Sequence, residues 1–161
     1  MPLEASEFAE LIRQHAGALV LWTGWRSLSP EDIVQEAFCR LAVEEPAPDR
    51  PVAWLYRVCR NLAAKEHRSG SRRRAREAVY ARPEASPSDP AQRLELADVL
   101  AAVERLDEEM REVLVARIWG GLSLEEIGKL CGVSTATACR RYRSAIQALQ
   151  AKLAPACENR P

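Results

Sequence analysis

Residues 122–153 read LSLEEIGKLCGVSTATACRRYRSAIQALQAKL, and their pattern decides the fold. A short apolar-periodic run from Leu122 to Leu130 is broken by Cys131-Gly132-Val133-Ser134, and a second run continues to Leu153. The pattern is helix, turn, helix. Ser123 can cap the first helix with Glu126 as its capping-box partner, Gly132 can supply the left-handed residue that ends it, and Ser134 can cap the second. In that second helix Ala138, Tyr142, Ala145, Ile146, Leu149 and Leu153 recur at helical spacing and form one apolar face. Thr135, Thr137, Arg140, Arg141, Arg143 and Ser144 fall elsewhere. A helix sunk in a core does not carry three arginines within four residues. Hydroxyls and guanidiniums near a helix start are the groups that bond base edges in the major groove and the phosphates beside it. The competing reading is a helical hairpin whose outer face is merely solvated.

At 161 residues the chain suits one or two small domains, and its seven glycines and lack of an alternating β-branched run argue for helices over strands. The longest apolar stretch, 16–22, is too short to cross a bilayer, and Met1-Pro2-Leu3-Glu4 lacks the basic start of a secretory signal. A cytoplasmic protein is expected. Five cysteines, Cys39, Cys59, Cys131, Cys139 and Cys157, are odd in number and unclustered, which points to reduced thiols and to no metal site. No cofactor is implied. His15 lies on an apolar stripe and His67 in a basic run, and neither has the convergent partners that catalysis or metal binding needs.

A net charge of zero resolves along the chain into four blocks. Counted from the sequence, residues 1–45 sum to −5, 46–82 to +7, 83–110 to −6 and 111–161 to +4. Two basic blocks separated by acidic ones suggest two nucleic-acid contacts, with the acidic segments facing something else or solvent.

In chain order, Phe8, Leu11, Ile12, His15, Leu19 and Trp22 predict an amphipathic helix from about 4 to 25. Ser29 before Pro30, with Glu31 and Asp32 in the first turn, starts a second. Its buried stripe is Ile33, Val34, Ala37, Phe38 and Leu41, which leaves Asp32, Gln35, Glu36 and Arg40 outside. After the proline-rich loop 45–51, a third helix from about 51 to 68 places Leu55, Val58, Cys59 and Leu62 inward. Trp54, Arg57, Asn61 and Arg68 turn to another side, with Arg60 and Lys65 nearby and Arg72, Arg73, Arg74 and Arg76 continuing the charge. Such a guanidinium series suits phosphates, and the aromatic at its head can stack on a base or insert where pairing opens. The alternative makes Trp54 and Tyr56 core aromatics. Residues 81–91 carry three prolines and no apolar period, so a flexible linker is expected. Beyond it Leu96, Val99, Leu100, Val103 and Leu106 mark a helix, and Asp107 caps another whose Met110, Val113, Leu114 and Ile118 face inward before Gly120-Gly121.

These residues, in this order, resemble bacterial RNA polymerase sigma factors of the sigma-70 family, extracytoplasmic-function group. Residues 29–38 look like region 2.2, residues 51–61 like region 2.3 with 62–76 continuing into 2.4, and residues 106–149 like regions 4.1 and 4.2, including the Gly-Leu-Ser-x-Glu-Glu-Ile segment at 121–127. The resemblance implies an all-α chain of two small helical domains: region 2 at 1–79, a linker at 80–93, region 4 at 94–154 and a tail at 155–161. It implies a sigma subunit, with no enzymatic site, that docks on core polymerase, melts DNA at the −10 element with its first domain and reads the −35 element with its second. Asp32, Gln35 and Glu36 match positions that meet the β′ clamp helices, and the β flap is a further contact. The stretch from the loop at Glu45 through Asn61 matches the segment that holds a flipped non-template base, and Arg141 matches the most regular arginine of the recognition helix. Cys139, Arg140, Ser144 and Ile146 depart from the usual residues there, so the −35 preference differs from the common pattern. The smallest, two-domain type is implied, lacking an N-terminal inhibitory region and a third domain. An anti-sigma factor is an open partner.

Two rivals remain at this stage: a stand-alone helix-turn-helix regulator, and a thiol or metal sensor using Cys131, Cys139 and Cys157. The first leaves the acidic second helix unexplained, and the second lacks ligand spacing.

Overall fold

The computed structural model describes residues 3–68 and 90–158, with side chains placed through 68 and again from 97 to 153. Seven helices make up this part: α1 (Ala5–Gly24), α2 (Pro30–Val43), α3 (Pro51–Arg68), α4 (Pro90–Glu104), α5 (Glu108–Ile118), α6 (Leu124–Cys131) and α7 (Thr135–Glu158), and no strand occurs among the described residues. The chain divides into two compact units, one holding α1–α3 and the other α4–α7. The all-α expectation of two helical domains is met.

In the first unit each helix packs on the other two. The sequence dictates this because each carries one apolar stripe that water disfavours: Leu19 and Trp22 on α1, Ile33, Val34, Ala37, Phe38 and Leu41 on α2, Leu55, Tyr56, Cys59 and Ala63 on α3, all buried. Burying each large side chain contributes roughly 1.5–3 kcal/mol. Trp22 meets Tyr56 edge-on with ring centroids 5.1 Å apart, Phe8 meets Phe38 edge-on at 6.0 Å, and the Arg26 guanidinium sits 4.7 Å from the Trp22 ring centroid. Tyr56 is thus a core aromatic. Burial pushes its phenol well above the ordinary value of 10.0, and burial likewise pushes the Cys59 thiol up to about 12 against a smaller opposing pull from Thr23.

Some local expectations need correction. Ser29 occupies the N-cap position of α2 with Pro30 in the first turn, yet its side chain makes no capping bond. Ser27, buried in the preceding turn, does the work instead: its hydroxyl accepts the Ser29 N–H at 3.0 Å and donates to the Glu66 carboxylate on α3. A tertiary bond thereby fixes where α2 starts. Ile12, read as part of the α1 stripe, is 40% exposed because it lies at the stripe's edge, and Ile118 is 48% exposed at the last position of α5. Val58 and Leu62 are only half-buried. Helix α4 begins at Pro90, inside the stretch 80–93 read as linker, and α7 runs to Glu158, inside the expected tail. The remainder of the linker lies outside the described residues.

The second unit is built around α7, against which α4, α5 and α6 all pack. Val103, Leu106, Val113, Leu114, Ile127, Ala138, Ala145 and Leu149 form its buried core. Two cations close the end of α4: Arg111 Nη1 donates to the Glu104 carbonyl at 3.0 Å, and Lys152 Nζ to the Arg105 carbonyl at 3.3 Å. Positive charge there opposes the negative end of the helix dipole.

The α6–α7 turn follows from its residues. The Glu126 N–H donates to Ser123 Oγ at 3.1 Å and the Ser123 N–H to Glu126 Oε2 at 2.8 Å, which completes the capping box. Gly132 ends α6 at φ 69°, a left-handed conformation that costs other residues energy, and the Val133 N–H reaches back to the Gly128 carbonyl at 2.9 Å. Gly128 was not singled out in the sequence reading. A Cβ there would stand 2.9 Å from the Val133 carbonyl oxygen, a backbone atom that cannot swing aside. The clue was available: glycine inside an eight-residue helix costs about 1 kcal/mol against alanine, so it needs a packing reason.

Gly128→Ala is therefore expected to lower stability by about 1–2 kcal/mol, the overpacking cost exceeding the gain in helix propensity; thermal unfolding of the full chain reads this as a lower midpoint, and an unchanged or raised one would refute the close approach. Thiol labelling at pH 8 is expected to modify exposed Cys39 in the folded chain and Cys59 only after denaturation, because a buried thiol held near 12 offers almost no thiolate.

Candidate nucleic-acid interface

Helix α7 presents its polar residues on the surface left over once Ala138, Ala145 and Leu149 are buried. Ser134 caps it, as expected: the Thr137 N–H donates to Ser134 Oγ at 3.1 Å, and the Ser134 hydroxyl bonds Thr137 Oγ1 at 3.0 Å. Arg140 Nη2 donates in turn to Thr137 Oγ1 at 3.3 Å. Ser134, Thr135, Arg140 and Arg143 are exposed, while Thr137 and Ser144 are half-buried. A linked chain of hydroxyls and a guanidinium thus opens the helix, with its free backbone N–H groups behind it. Such a helix end favours phosphate oxygens, and the side chains just beyond it reach base edges.

Arg141 behaves differently from its neighbours. It stands one turn from both Ala138 and Ala145, on the flank of the packed face, and its side chain is 21% exposed. Its Nη2 lies 2.8 Å from Oε2 of Glu109 at the start of α5. Reading the sequence placed Arg141 among the DNA contacts but could not have found this partner, which belongs to another helix.

On α3, Arg57, Asn61, Lys65 and Arg68 are exposed, and Trp54 and Arg60 half-buried. Trp54, Arg57, Asn61 and Arg68 follow one helical face, and Arg68 Nε donates to the Ala64 carbonyl at 3.3 Å. Lys65 sits at that face's edge. It lines an open groove between α2 and α3 together with Asp32, Glu36, Glu66, Ser29, Ile33 and Leu62. Arg72, Arg73 and Arg74, read from the sequence as phosphate contacts, lie outside the described residues.

Asp32, Gln35 and Glu36 occupy one exposed face of α2, opposite its buried stripe, and Arg40 Nε bonds Glu36 Oε1 at 2.8 Å on the surface. Among the described residues no cluster of His, Cys, Asp or Glu could hold a metal ion, and no helix is long and apolar enough to cross a membrane. His15 is half-buried, and burial pulls its imidazole below the ordinary value. Cys131 and Cys139 are half-buried free thiols, and the Cys157 side chain lies outside the described ones.

A capped helix-turn-helix with a cationic second helix, joined to a helical unit with one cationic and one acidic face, defines a class: a DNA-binding transcription protein that also carries a protein-docking surface. Comparison with known proteins narrows this. The Sigma-70 region 2 pattern matches residues 11–73 and the Sigma-70, region 4 pattern matches residues 102–151. The chain is 30% identical over 129 residues to the ECF RNA polymerase sigma factor EcfG of Rhodopseudomonas palustris, covering 76% of this chain and 70% of that one. It is 34% identical over 157 residues to the ECF sigma factor SigE of Mycolicibacterium smegmatis, covering 90% of this chain and 61% of that one. The fold is like that of the sigma factor RpoE of Bartonella quintana, solved in complex with the anti-sigma factor NepR, at a TM-score of 0.62 and 22% identity over 92% of this chain and 98% of that one. The chain belongs to the sigma-70 family, in its extracytoplasmic-function group. It is an alternative sigma factor, a regulatory subunit that directs core RNA polymerase to promoters for transcription initiation. The match to region 2 disposes of the stand-alone regulator, which needs only the second unit.

Each cation that meets a phosphate releases counterions, so Arg140→Ala and Arg143→Ala are each expected to lower the slope of log affinity against log salt by about 0.9. Arg141→Ala should change it less, because the Glu109 carboxylate at 2.8 Å already offsets part of that charge. Salt titration of the holoenzyme on duplex DNA measures all three, and equal slopes throughout would remove α7 from the phosphate contact.

Proposed function

We propose that the two units divide the work of initiation. The first, within residues 1–79, docks on the β′ clamp helices of core polymerase through Asp32, Gln35 and Glu36, and grips the −10 element with Trp54, Arg57, Arg60, Asn61, Lys65 and Arg68, continued by Arg72, Arg73 and Arg74. The second, from α4 onward, reads the −35 element with Ser134, Thr135, Thr137, Arg140, Arg141, Arg143 and Ser144 on α7, and the β flap is its contact with polymerase. The chain performs no catalysis of its own and works in the cytoplasm, where polymerase and promoters are. An anti-sigma factor is a further partner admitted by this reading, as RpoE of Bartonella quintana is bound by one.

One observation carries the docking assignment: the three polar side chains of α2 share an exposed face while the helix's apolar stripe is fully used inside the unit. That face takes no part in the unit's buried core. Its carboxylates and amide suit a partner helix that presents cations and donors, and complementary charge sets partner choice and encounter rate.

On α3 Trp54 is half-buried, next to exposed Arg57 one turn on. A half-buried ring ahead of exposed Arg57, Asn61 and Arg68 can stack on an unpaired base while the cations hold the backbone. Lys65 lies between the two surfaces, lining the groove that also holds Asp32 and Glu36. Its ammonium is within the reach of either partner.

The double variant Gln35→Arg/Glu36→Arg is expected to lose co-purification with core polymerase by more than about tenfold, since like-charge juxtaposition costs several kcal/mol. Its helical circular dichroism should be unchanged, because both positions are exposed. Retained binding at wild-type strength would take this face out of the polymerase contact.

A further inference from the structure

Glu109 stands outside the helix-turn-helix and has no place in the assignments above. Its position is nevertheless specific. It lies in the first turn of α5, is 67% exposed, and places a carboxylate oxygen 2.8 Å from Arg141 Nη2 on α7. A carboxylate this close to a DNA-reading surface repels phosphate. A lone surface ion pair contributes little to stability, with a median near 0–1 kcal/mol, so folding alone gives weak reason for it.

The three arginines of α7 are held in different ways. Arg140 is tied to Thr137 on its own helix, Arg143 is exposed, and Arg141 is laid along the flank of the packed face with its tip against Glu109. A guanidinium has five N–H donors in a planar fork, and a carboxylate against one nitrogen holds the tip beside α5 while the fork keeps further donors. The carboxylate also opposes the guanidinium's charge at close range. An Arg141 so held gains less from a phosphate met at random than from an acceptor in line with the donors that remain.

On this basis, and resting on the reading of α7 as the −35 helix, we propose that Glu109 is a specificity-determining positioning residue for upstream promoter recognition: it orients Arg141 and withholds that arginine's charge from non-cognate DNA. Selectivity then comes from a repulsive element as well as an attractive one. The ion pair spans two helices of one compact unit, so the geometry is set by the fold before DNA arrives.

The test uses the full chain assembled with core polymerase and a duplex library randomised over the upstream element, with bound molecules sequenced. Wild-type holoenzyme should select an upstream sequence. Glu109→Gln, close in shape but neutral, should bind scrambled-upstream duplex more tightly, with the slope of log affinity against log salt steeper by about 0.9. Its discrimination between selected and scrambled duplexes should fall by about tenfold, the scale of one well-placed base contact. Glu109→Asp should restore part of the discrimination. In an Arg141→Ala background, Glu109→Gln should no longer change it, because the two residues act as one.

Each other outcome is decisive. If the wild-type holoenzyme selects no upstream sequence, the assignment of α7 fails and this inference with it. If it does select, and Glu109→Gln discriminates equally well, only the role of Glu109 is overturned. Equal tightening on both duplexes would make the pair a simple competitor with DNA. A lower thermal midpoint with unchanged discrimination would make it a structural tie.

Discussion

The carbonyl oxygen of Val133 lies 2.9 Å from the point where a Cβ of Gly128 would stand, and the second unit's use depends on that approach. Two helices joined by a few residues can cross at many angles. Here the bond from the Val133 N–H to the Gly128 carbonyl and the left-handed Gly132 hold the chain tightly against α6 as it turns. Ser134 can then cap α7 at once, and the helix begins with its hydroxyls and first arginine already linked. Were the turn looser, Arg141 would have no fixed relation to α5, and the ion pair with Glu109 would be lost along with the direction of the helix. The setting of α7 against α6 thus rests on a glycine inside α6.

In the first unit the same logic runs through amphipathicity. Burying one stripe of α2 against α1 and α3 leaves Asp32, Gln35 and Glu36 on the opposite side without further instruction, since residues three and four apart share a helix face. Likewise the burial of Leu55, Tyr56, Cys59 and Ala63 turns Arg57, Asn61 and Arg68 to solvent on α3. One core therefore displays an acidic surface and a basic one. On the proposed assignment, opposite charge on two helices of one small unit lets it face a protein and a nucleic acid without attracting either to the wrong place.

Nearly everything set by local pattern was legible in the sequence. The order of the helices, the capping box at Ser123 and Glu126, the cap at Ser134 and the stop at Gly132 are short-range chemistry and are found as read, while the start of α4 at Pro90 and the end of α7 at Glu158 are not. What escaped depends on residues distant in the chain. Ser29 has the right residue type for a cap, but Ser27 takes the Ser29 N–H because Glu66, on another helix, holds its hydroxyl in place. Tyr56 is interior, edge-on to Trp22 of another helix, and Trp54 only half so, a distinction set by tertiary packing. Glu109 reads in sequence as an ordinary first-turn acid favoured by the helix dipole. Its tie to Arg141 exists only because α5 and α7 pack together.

The zero net charge is better understood in this light. A chain with a uniform excess of cations would bind any duplex, and its polymerase would be held on the wrong DNA, because phosphate attraction carries no sequence information. Balance at the level of the whole chain lets positive charge be local, and among the described residues it is displayed on the exposed faces of α3 and α7. The role proposed for Glu109 applies the same principle to a single side chain: its ion pair with Arg141 would reduce attraction that any phosphate could use and keep the donors that only a suitably placed acceptor can satisfy. On the proposed assignment of α7 and Glu109, adding cations to α7 strengthens binding while weakening choice, and the carboxylate beside Arg141 shares in recognition with the arginines.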